Sequence, residues 1–165
     1  MFINLIVAVS ENMAIGKNNQ MLWHLPEDFR YFKNVTYGMP VLMGRRTFGS
    51  LNNKPLPGRI NIVLSRQKDL KAEGAVLVDK IDKALFIAKE HDYNQLFVIG
   101  GGDLYRQMLP KAHRLYITRV KADFPEADTF FPSFNTKDFK LVSEQKHPAD
   151  DKHAYDYSFE VWERK

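Results

Sequence analysis

Apolar residues occur along the chain in short unbroken runs, which are separated by polar segments rich in Gly, Pro and Asn. Runs of this length are too short for most helices, and their β-branched content is typical of strands buried on both faces. They predict strands within residues 1–10, 39–44, 60–65, 74–78, 95–100 and 113–122. Between these strands, apolar residues at helical spacing predict helices from Pro26 onward and within 45–51, 80–91 and 103–110.

The C-terminal segment has a different pattern. Apolar and polar residues alternate over 153–163, which predicts a strand with one exposed face. We expect it to pair with residues 139–146 across the loop 147–153. Continuous apolar strands that alternate with helices indicate a mostly parallel sheet covered on both faces, and the alternating end indicates an antiparallel edge. The sequence therefore predicts one α/β domain spanning residues 1–165.

Composition narrows the class of protein. There is no apolar run of about 18 residues and no basic, apolar and small-residue leader pattern, so we predict neither a membrane span nor a signal peptide and expect a cytoplasmic location. With no cysteines, disulfides and cysteine metal sites are excluded. The 24 basic and 20 acidic residues are interspersed and give a net charge of +4, which disfavours nucleic-acid binding and suits small anionic ligands.

Two junctions between a strand and a helix are suited to binding phosphate. In "VLMGRRT" a strand ends at Gly44, and Arg45, Arg46 and Thr47 begin the next helix, where free N–H groups, a hydroxyl and guanidinium groups can converge on one anion. In "VIGGGDLYRQ", three glycines between strand and helix allow a ligand to approach the backbone, although glycine can serve packing alone. The alternative for the arginines is a solvated helix end, which the helix dipole disfavours for cations.

A third strand end carries Ser65 and Arg66, which could reach another phosphate or could begin a turn. Phosphates spread over three strand ends fit the 2′-phosphate and pyrophosphate of NADPH better than a compact triphosphate. No G-x-x-x-x-G-K-[ST] motif is present to indicate a P-loop. An NADPH-like ligand is therefore predicted at the carboxyl ends of these three strands.

The stretch "WHLPEDFRYF" contains the acid with the most unusual setting. On a helix that starts at Pro26, Asp28 shares a face with Phe29, Phe32 and Val35, whereas Glu27 points to solvent. An acid in the first turn complements the helix dipole, which would be a purely structural explanation. On an apolar face, however, an unpaired carboxylate is costly, so we expect a ligand or a bound water to pair with Asp28.

Other catalytic patterns are missing. No G-x-S-x-G or H-E-x-x-H motif occurs, and the five histidines show no metal-ligand spacing, so no metal site is predicted and each histidine is expected at the surface. Residues 11–22 form a long polar connection, either a binding loop or a plain surface loop.

Several motifs in this order resemble dihydrofolate reductase of the bacterial chromosomal type: "LIVAVSENMAIG", "WHLPEDFRYFK", "PVLMGRRTF", "PLPGRINIVLSR", "VIGGGDLYRQMLP", "LYITRV" and "ADTFFP". The resemblance covers essentially the whole chain. It implies an eight-stranded, mostly parallel sheet with an antiparallel C-terminal strand, flanked by four helices. It also implies NADPH-dependent reduction of 7,8-dihydrofolate to 5,6,7,8-tetrahydrofolate for one-carbon metabolism, with hydride passing from nicotinamide C4 to pterin C6 and a proton added at N5. A monomer that also binds antifolate inhibitors, with no nucleic-acid or membrane partner, is expected.

The resemblance also implies roles for individual residues. Asp28 would bind the pterin 2-amino group and N3 with support from Thr118, Arg59 would bind the glutamate α-carboxylate, and Trp23 would close the site and hold a water. Together with Tyr105, Asp28 and Trp23 would form the catalytic centre. The apolar walls around the pterin and benzoyl rings would come from Ile6, Val7, Phe29, Phe32, Leu51, Leu56 and Ile99.

For the cofactor, the resemblance implies a 2′-phosphate site at Arg45, Ser65 and Arg66 and a pyrophosphate side at Arg46 and Thr47. Gly44 and Leu64 would also bind the cofactor. Further phosphate contacts would come from Gly101, Gly102, Asp103, Leu104 and Tyr105, with the family's cis peptide at Gly100–Gly101. The nicotinamide would be covered by Ala8 and the loop Ala14, Ile15, Gly16, Lys17, Asn18, Asn19 and Gln20, and Ile99 would also contact the cofactor.

The sequence departs from the family pattern at a few positions. Leu22 stands where proline is common before the tryptophan, and the segment Asn52 to Lys54 contains one extra residue beside the expected benzoyl-glutamate pocket. Two other functions are weighed against this one. The first is a reductase of the same fold acting on a pyrimidine-type heterocycle, which would not need Asp28 and Arg59 together. The second is a pterin- or nucleotide-binding protein without turnover, which would lack a group that the reaction requires.

Overall fold

The structure, a computed structural model, describes residues 1–165. The strands are β1 (Phe2–Ser10), β2 (Ala14–Gly16), β3 (Val41–Gly44), β4 (Asn61–Leu64), β5 (Val76–Val78), β6 (Gln95–Gly100), β7 (Arg114–Val120), β8 (Thr129–Phe130), β9 (Phe139–His147) and β10 (Tyr157–Arg164). Eight of them form one sheet in the order β5-β4-β3-β6-β1-β7-β10-β9. Neighbouring strands from β5 to β7 are parallel, and β10 is antiparallel to both β7 and β9. The predicted eight-stranded, mostly parallel sheet is confirmed.

Four α-helices connect or flank the strands: α1 (Pro26–Thr36), α2 (Arg45–Ser50), α3 (Ile81–Glu90) and α4 (Gly102–Met108), followed by a 3₁₀ turn at Leu109–Lys111. Pro26 occupies the first turn of α1, where its missing N–H costs nothing. None of these helices combines the length and the apolar character that a membrane crossing requires.

Two local predictions were wrong. The segment 11–22 is not wholly loop, because β2 pairs with β8 in a small antiparallel sheet. The strand β10 does not have an exposed face at its start, because Ser158 and Glu160 are buried as well as Tyr157 and Phe159. The strand lies between β7 and β9. The negative charge of Glu160 is balanced by Arg119 (Nη2–Oε1 3.1 Å), and its carboxylate also accepts a hydrogen bond of 2.9 Å from the Trp162 indole N–H.

The central strand β1 determines where a site can form. It lies between β6 and β7, with Leu5 paired to Val98 and Ala8 paired to Thr118. Because α2 follows β3 directly and α4 follows β6 after Gly101, both helix N-termini lie at the carboxyl edge of the sheet. In open α/β sheets, ligands bind at this edge.

Candidate active site

Asp28 is buried in the first turn of α1, with 9% of its surface exposed. Its Oδ1 accepts a hydrogen bond of 2.6 Å from the Thr118 hydroxyl on β7, and Oδ2 accepts none from the protein. Burial raises the pKa of Asp28, and the Thr118 hydrogen bond opposes that rise. The geometry brings together the two residues that the resemblance assigned to the pterin, and it leaves one carboxylate oxygen for a ligand.

Tyr105 and Trp23, the other two predicted catalytic residues, are both buried, in different settings. The Tyr105 hydroxyl donates to the Ile6 carbonyl over 2.7 Å, and burial, together with the charge on Asp28, raises its pKa. The Trp23 ring packs against Phe124 with centroids 5.4 Å apart, and its buried Nε1 has no hydrogen-bond partner in the protein. A buried donor without a partner is costly, so this N–H suits a bound water or ligand atom.

One apolar cluster contains most of the predicted pocket walls. Ile6 is part of it, and the partly buried members packed on it include Phe32, Leu51, Leu56 and Ile99. These side chains come from β1, α1, the end of α2, the connection to β4 and the end of β6. The cluster therefore joins the pterin and benzoyl positions that the resemblance implied.

Two predicted wall residues, Val7 and Phe29, lie outside this apolar cluster. Val7 follows Ile6 on a strand and faces the opposite side of the sheet, in the core cluster with Tyr105, so only its main chain is available on the Ile6 side. Phe29 was expected on the apolar face of α1, but its side chain is 45% exposed and contacts the His24 ring at 5.6 Å. It can meet a ligand, and it does not stabilise the core.

Arg59 is held from three sides. Its Nε donates to the Pro57 carbonyl over 2.9 Å, its Nη1 donates to the Thr36 hydroxyl over 3.1 Å, and its guanidinium lies 5.7 Å from the Tyr37 ring centroid. Gly58 has φ +74°, and a Cβ there would lie 2.5 Å from the Tyr37 ring. A glycine is therefore required for Tyr37 to pack under the arginine.

Asn61 is a structural residue that sequence reasoning missed. Its side chain is buried, accepts a hydrogen bond from the Leu56 N–H over 2.8 Å, and donates to the carbonyls of Leu56 and Arg59 over 2.9 and 3.0 Å. These bonds shape the loop that carries both predicted substrate contacts. The available signal was an asparagine inside an otherwise apolar strand, where a buried amide must find partners.

A large cleft of about 1420 Å³ opens where α2 and α4 begin. Thirteen of the predicted cofactor residues line it: Asn18, Asn19, Gly44, Arg45, Arg46, Thr47, Leu64, Ser65, Arg66, Gly101, Gly102, Asp103 and Leu104. The other predicted cofactor residues, Ala8, Ala14, Ile15, Gly16, Lys17, Gln20, Ile99 and Tyr105, are not part of its lining. The Gly100–Gly101 peptide is cis, as the resemblance implied.

The cleft also has lining residues that were not predicted: Gln67, Arg106, Gln107, Asp128, Thr129 and Phe130. Gln67 accepts a hydrogen bond from Arg45 (Nη1–Oε1 2.6 Å), and its N–H donates to the Ser65 hydroxyl over 3.1 Å, so it orients two predicted phosphate ligands. Asp128 and Thr129 belong to the motif "ADTFFP", which was the one signal for them in the sequence.

The loop between β2 and α1 is fastened across the mouth of the cleft. Lys17 and Gln20 exchange two backbone hydrogen bonds of 3.0 Å, with Asn18 and Asn19 in the left-handed region between them. The Asn18 N–H donates to Asp128 Oδ2 over 2.9 Å, and the Asn19 amide donates to the Arg46 carbonyl over 3.1 Å. The loop that was predicted to cover the nicotinamide therefore contacts both the α2 side and the β8 side of the cleft.

We expect Asp128→Ala to loosen this loop, because the Asn18 N–H and the Thr129 hydroxyl both lose their acceptor. Amide hydrogen exchange over residues 14–20 should become about threefold faster or more. The matched control is Asp123→Ala, which removes an exposed carboxylate from the same β7–β8 connection. Equal exchange in both variants and the unaltered protein would contradict the fastening role of Asp128.

Comparison with known proteins decides the family. The family model described as dihydrofolate reductase matches residues 2–164. The chain belongs to the dihydrofolate reductase family. The family is one of oxidoreductases, so this member is an enzyme of that class.

Relatives of this family member match it over nearly their whole length. The chain is 45% identical over 159 residues to the type 3 dihydrofolate reductase of Salmonella typhimurium, with 96% of each chain covered. It is 42% identical over 165 residues to the dihydrofolate reductase of Haemophilus influenzae, with both chains fully covered. A solved structure of the Enterococcus faecalis enzyme, complexed with NADP(H) and RAB-propyl, superimposes with a TM-score of 0.90 at 32% identity and covers 99% of this chain and 96% of that one.

Proposed function

We propose that this protein reduces 7,8-dihydrofolate to 5,6,7,8-tetrahydrofolate with NADPH, and thereby supplies tetrahydrofolate for one-carbon metabolism. The observation that carries the proposal is Asp28, a buried carboxylate with one oxygen held by Thr118 and the other without a protein partner. It lies in a family member whose cationic cleft opens at the same edge of the sheet. A heterocycle with an amino group and a ring N–H matches that carboxylate.

The cleft has the donor set that NADPH requires. Arg45 and Arg66 carry the positive charge for a 2′-phosphate, and Ser65 and Thr47 add hydroxyl donors in the same lining. Gly101 and Gly102 present backbone without Cβ atoms at the start of α4, which suits the pyrophosphate. When bound, NADPH supplies the hydride, and the residues of the chain bind, orient and exclude water.

The residues proposed to bind the substrate position the pterin ring, which accepts the hydride. Asp28 holds the pterin by its amino group and ring N–H, while Ile6, Phe32 and Ile99 restrict the ring to one plane. Arg59, oriented by Pro57 and Thr36, keeps N–H groups of its guanidinium for the glutamate carboxylate. This arrangement limits the motion of the ring that receives the hydride.

The proton for N5 comes from water in this proposal. Asp28 is assigned to the amino side of the pterin, away from N5, so it polarises the ring and does not donate directly. The Trp23 Nε1, which has no protein partner, is suited to hold a water beneath the loop 14–20. Tyr105 keeps its proton and stays bonded to the Ile6 carbonyl, which fixes the middle of β1.

One assay tests the proposed activity directly. Absorbance at 340 nm should fall when NADPH and dihydrofolate are both present, and NADH should support the reaction much less well. No turnover with either cofactor would overturn the proposal. Turnover of a pyrimidine-type heterocycle in place of dihydrofolate would assign the chain to the alternative reductase function.

The role of Arg59 can be separated from pterin binding. Arg59→Gln should raise KM for dihydrofolate about tenfold or more, because a charge-assisted pair with the glutamate carboxylate is lost. KM for a dihydropterin without the glutamate tail should not change. Arg30→Gln, a largely exposed arginine on α1, is the matched control and should leave both values unchanged. Equal effects of Arg59→Gln on both substrates would contradict the assignment.

A cytoplasmic site of action and a monomeric state stay predictions. Cell fractionation tests the first, and sedimentation of the purified chain with NADPH tests the second.

A further inference from the structure

His153 lies in the loop between β9 and β10, and only 2% of its surface is exposed. The sequence predicted a surface histidine, and that prediction was wrong. Its Nε2 accepts a hydrogen bond of 3.1 Å from the backbone N–H of Glu27, 126 residues earlier in the chain. Its Nδ1 lies 2.8 Å from Asp150 Oδ1, and its ring stacks on Tyr157 at 5.0 Å.

The backbone hydrogen bonds of α1 show why this contact matters. The residue before the helix is Leu25, which has no side chain able to cap it. Pro26 has no N–H, and the N–H groups of Asp28 and Phe29 both reach the Leu25 carbonyl, over 2.9 and 3.3 Å. The Glu27 N–H is the first-turn donor left over, and the imidazole satisfies it. The cap of α1 therefore comes from a distant loop.

The two hydrogen bonds of the ring determine its protonation pattern. Nε2 accepts from an N–H, so it carries no proton, and Nδ1 then carries the proton and donates to Asp150. A neutral ring also suits this place, because the N-terminus of a helix repels a cation. Asp150 thus selects the tautomer that can cap the helix.

We propose that His153 is a positioning residue for substrate binding, which acts by capping the helix that carries Asp28. The capped residue, Glu27, immediately precedes Asp28, so fraying of this turn moves the carboxylate that is assigned to the pterin. The stacking of Tyr31 on Phe159, with centroids 4.0 Å apart, attaches the next turn of α1 to β10. The inference rests on the proposed function for its effect on catalysis and on the structure alone for its effect on α1.

The test compares His153→Phe, which keeps an aromatic ring against Tyr157 but removes the acceptor, with His153→Gln, whose amide oxygen can replace Nε2. His147→Phe is the matched control, because His147 also stacks on Tyr157, at 5.0 Å, and forms no hydrogen bond through its buried Nε2. The measurements are amide hydrogen exchange at Glu27 and Asp28, and KM for dihydrofolate and for NADPH.

In His153→Phe we expect exchange at the start of α1 to become about tenfold faster and KM for dihydrofolate to rise about three- to tenfold, with KM for NADPH unchanged. His153→Gln should restore both values to within about twofold, and His147→Phe should leave them unaltered. If His153→Phe does not fold, Asp150→Ala should give a smaller change in the same direction, because it frees the ring tautomer.

The proposal is overturned if His153→Gln is as impaired as His153→Phe, or if exchange at Glu27 is the same in His153→Phe and the unaltered protein. An unaltered chain that does not reduce dihydrofolate would refute the proposed function instead. The exchange measurement needs no turnover, so the two failures are distinguishable.

Discussion

Asp28→Asn should reduce kcat/KM for dihydrofolate about 10²–10³-fold, the range expected when one preorganised group that stabilises charge in the transition state is removed. The amide keeps the shape of the carboxylate, and its oxygen can still accept the Thr118 hydrogen bond. What disappears is the negative charge and the second acceptor for the pterin amino and ring N–H groups. Steady-state assays with saturating NADPH measure the loss.

The same substitution should change the pH dependence of the reaction. A carboxylate beside the pterin stabilises the ring protonated at N5, so in the unaltered enzyme that protonation extends to higher pH. Without the charge, the pH at which hydride transfer is half-maximal should move down, and the activity loss should be smallest in acid. An Asp28→Asn enzyme with the kcat/KM and pH profile of the unaltered protein would contradict the role of Asp28.

Asp28→Asn should also stabilise the fold at neutral pH. Burial raises the pKa of Asp28 above the ordinary value of 3.8, so the native state favours the protonated carboxyl. Its favourable contribution is complete below pH 3.8 and is lost as pH rises through the native pKa. The free energy of unfolding of the variant should exceed that of the unaltered protein at pH 7 and converge with it in acid. Urea denaturation at both pH values checks this, with Asn34→Asp, on an exposed face of α1, as the control.

The paired substitution Arg45→Gln and Arg66→Gln should reduce kcat/KM for NADPH about 10²–10³-fold, because two charge-assisted contacts with the 2′-phosphate are lost. NADH lacks that phosphate, so its kcat/KM should change little and the preference for NADPH should nearly vanish. Both arginines line the cleft, and Arg45 is already oriented by Gln67.

The control for this pair is Arg106→Gln. Arg106 lines the same cleft, but its Nη1 is bonded to Asp103, so its charge is already compensated. Salt should weaken the NADPH preference of the unaltered enzyme and have little effect on the double variant. If the unaltered enzyme uses NADH as well as NADPH, the 2′-phosphate site is assigned wrongly.

Much of this molecule follows from local patterns in the sequence. The apolar runs located the parallel strands, because strands buried on both faces need continuous apolar residues. Helical periodicity separated Asp28 from Glu27, and the structure buries Asp28 while the Glu27 side chain is 44% exposed. The residues that line the cleft where α2 and α4 begin could be located because they follow strand ends directly, where short-range order places them beside helix N-termini.

Only the tertiary structure decided the contacts between distant segments. Period-two alternation cannot show which side chains contact the polar face of a strand, so the burial of Glu160 beside Arg119 and Trp162 could not be predicted. The cap of α1 by His153 likewise joins groups 126 residues apart, and no local pattern predicts their hydrogen bond. Local sequence determines which backbone and side-chain groups need partners, and folding brings those partners from elsewhere in the chain.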